Sequence, residues 1–295
     1  MISVVIPSYN RRDCVRSLLR SVFLQKETEF EVIVVDDCSP DDTVEMVRKE
    51  FPQVRLLVNE RNSGPCVTRN RGIREARGEW IVGLDSDVTL PDPDLLARAR
   101  RTFIEYPTVN GLAFRLLKPD GESEDTARWW HPLPIGEFAD KRFLTSYFSG
   151  TGYAFRRQAM VDAGLYPEIL YMHYEEVELA LRILDQGGSI MHCPDIAVLH
   201  HANEVSRRSE VHVYYKPRNQ ILLAVACYPF WQGVAYVLPR VAYQFSTAAK
   251  DGHLGDFKRA MKDAVTKSRT LLPSRRPLQT ATFKKIDRLR KGLIP

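Results

Sequence analysis

The sequence predicts an α/β fold: a Rossmann-like mixed, mainly parallel sheet flanked by helices, followed by a helical C-terminal extension. Three observations lead there. Short apolar runs alternate with segments of helical spacing over the first ~100 residues. Each run ends in a polar loop. The last ~90 residues then turn basic and helical, with no strand-like alternation. The chain has 295 residues, 44% hydrophobic and 27% charged, which suits a globular protein with a sizeable core.

The elements follow in order. Ile2 to Ile6 is a β-rich run ended by Pro7. Asn10 is positioned to cap a helix in which Val15, Leu18, Leu19 and Val22 share one face. Phe30 to Val35 is almost wholly apolar, as a parallel strand covered on both faces should be. Ser39-Pro40-Asp41-Asp42 reads as a helix start, with Ser39 as cap and Pro40 at the first helical position. Arg55 to Val58 is a third strand, and Asn62-Ser63-Gly64-Pro65 opens a helix to about Arg77. Trp80 to Leu84 is a fourth strand, and Asp92-Pro93-Asp94 caps the next helix. Strands alternating with helices imply right-handed crossovers, and ligands bind beyond the carboxyl ends of such strands.

The middle of the chain is less regular. Gly111 to Leu117 is expected as a strand, Tyr147 to Arg156 as strand, loop, strand, and Ile196 to Leu199 as a short strand ending in His200-His201. Tyr174 to Leu184 is a helix with Val177, Leu181 and Leu184 on one face and a Glu178–Arg182 pair four residues apart. Asn219 through Pro239 carries no charge, and its prolines and polar residues favour a buried or interfacial helix pair over a membrane span. The basic segment beyond Arg240 reads equally as a membrane-surface element or a solvated helical tail. The expected domains are 1–205, divided near 105 into two halves, and a basic extension over 206–295.

Four polar loops converge on one predicted rim: Pro7-Ser8-Tyr9-Asn10, Asp36-Asp37-Cys38-Ser39, Asn62-Ser63-Gly64 and Asp85-Ser86-Asp87. Asp85 and Asp87 would be turn residues in isolation. After an apolar strand they suit a divalent cation, Mg2+ or Mn2+, shared with substrate phosphates. Asp37 is free to accept a ligand N–H if Ser39 supplies the helix cap. Tyr9 is placed to stack on a base, and Arg69 to lie near phosphate or ribose, or in solvent. Glu175-Glu176 opens a helix, where the dipole would keep a carboxylate ionised. His200 or His201, otherwise packed or capping residues, could join the acids on a metal. No phosphate loop of the Gly-Lys-Ser/Thr kind and no Gly-x-Gly-x-x-Gly fingerprint is present.

In their order these motifs resemble the family-2 glycosyltransferases of the A-type fold. The residues are Val-Val-Ile-Pro-Ser-Tyr-Asn, Val-Val-Asp-Asp-Cys-Ser-Pro-Asp-Asp-Thr, Asn-Ser-Gly-Pro-Cys-Val-Thr-Arg-Asn-Arg-Gly, Leu-Asp-Ser-Asp and Tyr-Glu-Glu-Val-Glu-Leu-Ala-Leu-Arg. The resemblance covers about Ile2 to Ser206, and Tyr214-Tyr215 to Arg218-Asn219 is similar to bacterial, rhamnosyltransferase-like members acting on cell-surface polysaccharides. It implies an inverting, metal-dependent transfer from a nucleotide-diphosphate donor, UDP- or dTDP-sugar, to a saccharide or lipid-linked acceptor. It assigns the nucleotide to Pro7, Tyr9, Asn10, Asp37, Asn62, Gly64, Arg69, Asp85 and Ser86. Metal falls to Asp85 and Asp87, Asp87 the more direct, with His200 or His201. Gly150, Thr151 and Gly152 match an acceptor loop, and Glu176 in the Glu175-Glu176 pair matches the base. The family's usual Glu-Asp pair is Glu-Glu here, one methylene longer. The alternatives are a sugar-nucleotide-forming nucleotidyltransferase, whose Gly-rich N-terminal loop is absent, and a non-catalytic nucleotide-sugar-binding protein.

The net charge of +5 points to phosphates or an anionic membrane face, not by itself to nucleic acid. Five scattered cysteines and a start directly on a strand-like run fit a reducing, cytoplasmic compartment, with peripheral contact to the inner membrane face through the basic region.

Overall fold

The structure is a computed structural model and describes residues 1–201 and 209–293. The elements are β1 (Ile2–Ser8), α1 (Arg12–Val22), β2 (Phe30–Asp36), α2 (Thr43–Glu50), β3 (Arg55–Val58), α3 (Pro65–Glu75), β4 (Trp80–Leu84), β5 (Val88–Thr89), α4 (Leu95–Glu105) and β6 (Gly111–Leu117). After these come α5 (Ile135–Phe138), β7 (Phe143–Thr145), β8 (Gly152–Arg156), α6 (Arg157–Asp162), α7 (Glu175–Asp185) and β9 (Ile190–His200). Four helices close the chain: α8 (Ser209–Cys227), α9 (Phe230–Lys250), α10 (Leu254–Leu271) and α11 (Thr280–Arg290).

The strands form one sheet in the order β3-β2-β1-β4-β8-β6-β9-β5, with β7 beside β9. β3, β2, β1 and β4 run parallel, so their carboxyl ends share one rim. β8 runs antiparallel to both β4 and β6, which makes the sheet mixed. The strands are apolar because both faces are covered. Along β1, Ile2, Val4 and Ile6 enter the core under α1, α2 and α4, while Val5 enters the core under α3, α6 and α7. β2 and β4 alternate in the same way, so a one-residue slip would exchange every side chain between the two cores.

Several local expectations are corrected. Asn10 does not cap α1: the helix begins after Arg11, and Asn10 has φ 54° with its N–H donating to Ser39 Oγ, 2.9 Å. Ser39 does not cap α2 either. Its hydroxyl donates to Asp36 Oδ2 and its N–H to Asp36 Oδ1, while α2 starts at Thr43, whose N–H donates to Asp41. Residues 147–149 are irregular and 150–151 a turn, so no strand precedes β8 there. The short strand at 196–199 is the end of the eleven-residue β9. Pro194 interrupts its pattern because a register shift opens opposite Phe114 and Arg115, where a missing N–H is tolerated.

The C-terminal helices dock on α7, on the sheet-containing part of the chain. Leu181 and Leu184 of α7 pack with Leu223 and Cys227 of α8 and with Ile286 and Leu289 of α11. Arg182 donates to Glu178 Oε1 at 2.8 Å, the expected pair, and also to the Ala226 carbonyl. Thr282 Oγ1 donates to Asp185. The solvated-tail reading, made for the segment beyond Arg240, therefore fails for α11. No helix among the described residues is long and apolar enough to cross a membrane. The 205/206 domain boundary, and Ser206 as the end of the family resemblance, lie outside the described residues.

Candidate active site

The rim above β1, β2 and β4 gathers the predicted loops. Pro7 lies within β1 opposite Val35, Tyr9 is 46% exposed at its end, and Ser86 follows Asp85 in the turn after β4. Asp37 is buried, and its carboxylate accepts from Asn59 Nδ2 at 2.6 Å, from the Ser63 N–H at 3.0 Å and from the Gly64 N–H at 2.7 Å. The carboxylate thus ties the β2 loop to the Asn62-Ser63-Gly64 loop. It is not left free by a Ser39 cap. Gly64 has φ +89°, and a Cβ there would meet the Tyr171 ring at 2.3 Å, so only glycine lets that ring close over the loop. The Tyr171 hydroxyl donates to Asn62 Oδ1.

Asp87 and His200 come together. His200 Nδ1 lies 2.6 Å from Asp125 Oδ2, so Nδ1 is the donor to that carboxylate, and Nε2 faces Asp87 Oδ1 at 3.8 Å. That is the arrangement of a ligating imidazole oriented by an outer carboxylate. Arg11 Nη1 lies 3.4 Å from Asp87 Oδ2. Burial, then the nearby Asp85, raise the Asp87 carboxyl pKa, while His200 and Arg11 oppose them. His201 is on the other face of the strand: its ring Nε2 meets Thr89 Oγ1 at 2.8 Å. His200 thus shares this part of the rim with Asp87, while His201 points to Thr89 instead. Among the described residues no three His, Cys, Asp or Glu side chains form a ready-made cage. The chemistry of an acid plus an imidazole still fits a hard cation that takes its remaining oxygens from substrate phosphate and water.

Arg69 corrects another expectation. It is neither in solvent nor open to phosphate, but buried as a clamp, with Nη2 2.6 Å from Asp85 Oδ1 and Nη1 3.5 Å from Glu175 Oε1. Its guanidinium lies over the Tyr166 ring, 5.4 Å from the centroid. Burial opposes its charge, but Asp85, Tyr166 and the two glutamates hold its pKa well above the ordinary value. Asp85 is thus directed at Arg69, and its N–H donates to the Thr151 carbonyl.

The two glutamates separate by environment. Glu176 is half-buried, and its Oε1 accepts the Gly150 N–H at 3.2 Å. A Cβ on Gly150 would meet Glu176 Oε1 at 2.6 Å and Arg69 Nη2 at 2.8 Å, so the loop needs glycine to lie across both. Thr151 is buried and Gly152 begins β8. Glu175 is buried, and its Oε2 has no hydrogen-bond partner. Burial and then Glu176 push the Glu175 carboxyl well above the usual range, against Arg69. Desolvation therefore opposes the ionised form that the helix dipole and Arg69 favour. The folded pKa lies above the unfolded one, so this group's stabilisation is full below the unfolded value and is lost as pH rises through the folded value. Glu175→Gln is expected to flatten the decline of melting temperature from mildly acidic to mildly alkaline pH, measured by calorimetry.

Sequence reasoning missed the support behind this pair. Tyr171, His173 and Tyr174 all have positive φ, 66°, 67° and 70°, just before Glu175. Arg218 and Asn219 of α8 hold that segment. Arg218 is 1% exposed and donates to the Ile169 and Leu170 carbonyls and to Asp263 Oδ2. Asn219 Nδ2 donates to the carbonyls of Leu170, Met172 and His173. Tyr215 stacks on Tyr171, 5.3 Å between centroids. Trp130 was missed as well. It is 44% exposed, stacks on Tyr147 and meets Tyr174, the residue before Glu175, edge-on.

A mixed sheet with helices on both faces and a polar rim at its parallel end is the A-type glycosyltransferase fold. A mannosyltransferase from Pyrobaculum calidifontis, solved with GDP-mannose and Mn2+, superposes with a TM-score of 0.59 at 21% identity, over 99% of this chain and 84% of that one. The chain belongs to Glycosyl transferase family 2, whose profile matches residues 3–164, more than half of it. An uncharacterized glycosyltransferase of Haemophilus influenzae is 37% identical over 144 residues, 49% of this chain and 48% of that protein. The succinoglycan biosynthesis protein ExoO of Rhizobium meliloti is 44% identical over 98 residues, 33% of this chain and 28% of that protein. The chain thus spans about half or less of these curated relatives.

Proposed function

We propose that this protein transfers a sugar, with inversion, from a nucleotide-diphosphate donor to a saccharide or lipid-linked acceptor in polysaccharide biosynthesis. One observation carries the reading. The half-buried Glu176 shares the sheet rim with the Asp87–His200 pair, connected to it through Gly150, Arg69 and Asp85. Nucleotide-sugar binding in the Pyrobaculum calidifontis enzyme and the name of the Rhizobium meliloti relative support it. Contact of the basic C-terminal helices with an anionic membrane belongs to the same reading.

The residues take separate roles. Tyr9 offers an open ring for a base, with the Asp37-tied loops shaping that pocket. Asp87 and His200 would hold Mg2+ or Mn2+, which when bound supplies positive charge against the donor's diphosphate. Glu176 accepts the proton of the acceptor hydroxyl as that oxygen attacks the anomeric carbon opposite the diphosphate. The Gly150 N–H fixes its carboxylate, and Glu175 lies buried behind it against Arg69. Trp130, backed by the buried Tyr147, offers an aromatic face near Glu176, suited to a sugar ring.

The test supplies UDP- and dTDP-sugars with Mn2+ and analyses the nucleotide released. Nucleoside diphosphate is expected, lost with EDTA and reduced about 100-fold or more in Asp87→Asn. Pyrophosphate as product would identify a nucleotidyltransferase instead, and turnover indifferent to EDTA would remove the metal role.

A further inference from the structure

We propose that the exposed side of α9 is a docking surface for an anionic lipid bilayer. Trp231, Ala235, Leu238, Ala242, Phe245 and Ala249 recur at alternating spacings of four and three, which puts them on one stripe of the helix. All six are exposed, with Trp231 at 78%, Leu238 at 65% and Phe245 at 51%. Tyr243, 69% exposed, flanks them. α9 is docked through a different side: Gly233 and Ala248 are buried, and Val241 packs with Val213 and Phe257. A surface helix of a globular protein presents charged and polar residues outward. This one presents an unbroken apolar stripe about 27 Å long.

Charge identifies the occupant. Residues 206–295 contain eighteen lysines and arginines against five acids, a net charge of +13. The remaining 205 residues contain 24 against 32, a net charge of −8. The basic charge adjoins the stripe. Lys250 ends α9 and is exposed, and Phe257, in edge contact with Phe245 at 5.6 Å, is followed by the exposed Lys258. A second copy seated on this stripe would bring two strongly positive regions together. An anionic bilayer accepts the aromatic stripe in its interface and the lysines at its headgroups. No described helix is suited to span the membrane, so the contact is one of a helix lying in the surface. Charge polarisation would also turn the acidic remainder of the chain away from the lipid.

The test is flotation of the full chain with vesicles of phosphatidylcholine alone or mixed with phosphatidylglycerol. Binding to the anionic vesicles is expected, about tenfold or more weaker on the neutral ones and weakened by salt. Trp231→Ser with Leu238→Ser, and separately Lys250→Glu with Lys258→Glu, should each reduce that binding about tenfold while the melting temperature stays unchanged. Absence of binding, or equal binding to both vesicles, would overturn the proposal. A dimer seen without lipid by sedimentation, and dissolved by the stripe substitutions, would assign the stripe to a second copy instead. No donor or acceptor is needed, so the outcome is independent of the catalytic reading.

Discussion

Glu176→Gln is expected to lower sugar transfer by about 10²- to 10⁴-fold while donor affinity stays within about twofold of the parent. The amide keeps the shape and still accepts the Gly150 N–H, so the loop across Glu176 and Arg69 has no cause to move. What is lost is the capacity to take a proton. The half-buried position allows a substrate hydroxyl to approach Glu176, whereas Glu175 lies buried behind it against Arg69. Glu175→Gln should therefore cost far less turnover than Glu176→Gln. Steady-state rates with donor titrated by calorimetry separate the two terms. Equal losses at both positions, or full turnover in Glu176→Gln, would reject the assignment of the base.

The second large effect is expected at a distance from the chemistry. Asn219→Asp should lower kcat about 100-fold with a much smaller change in donor affinity. The substitution preserves size but replaces a donor with an acceptor. The carbonyls of Leu170, Met172 and His173 would then face a carboxylate. Three residues of this segment hold left-handed backbone angles that non-glycine residues adopt only when their surroundings impose them. Without the clamp the segment relaxes and carries the start of α7, with both glutamates, out of register with the rim. Arg218→Ala acts on the same carbonyls and removes one partner of Asp263, which keeps Tyr214 and Lys267, so a stability loss of about 1–3 kcal/mol accompanies it. A purely structural role would lower melting temperature and leave kcat of the folded fraction intact; the kcat readout distinguishes the two.

The β1–α4 half was legible because each strand is a continuous apolar run and each rim loop a polar break. Fold class, the first four strands and the sharing of one rim by the Asp37 and Asp87 loops followed from that contrast, whereas Glu176 was joined to them by the family resemblance. Side-chain partners did not. Asp37 and Arg69 were read as facing outward, because sequence shows charge but not the buried N–H groups and acids that consume it. β9 was truncated because Pro194 falls at a register shift visible only in the pairing. His200 and His201 differ only in which face of the strand they occupy, which depends on register. Arg218 and Asn219 stood out only through the family resemblance, and the sequence did not show that they hold a loop some 48 residues earlier in the chain. Long-range polar contacts of this kind leave no periodic trace.

The central claim is that the rim above β4 holds a cation together with a nucleotide diphosphate. Crystals grown with Mn2+ and UDP, measured at the manganese absorption edge, test it most directly. The account predicts an anomalous peak between the Asp87 carboxylate and His200 Nε2, in contact with the diphosphate and lost in Asp87→Asn. A nucleotide bound there with no metal, or manganese bound elsewhere, would contradict it.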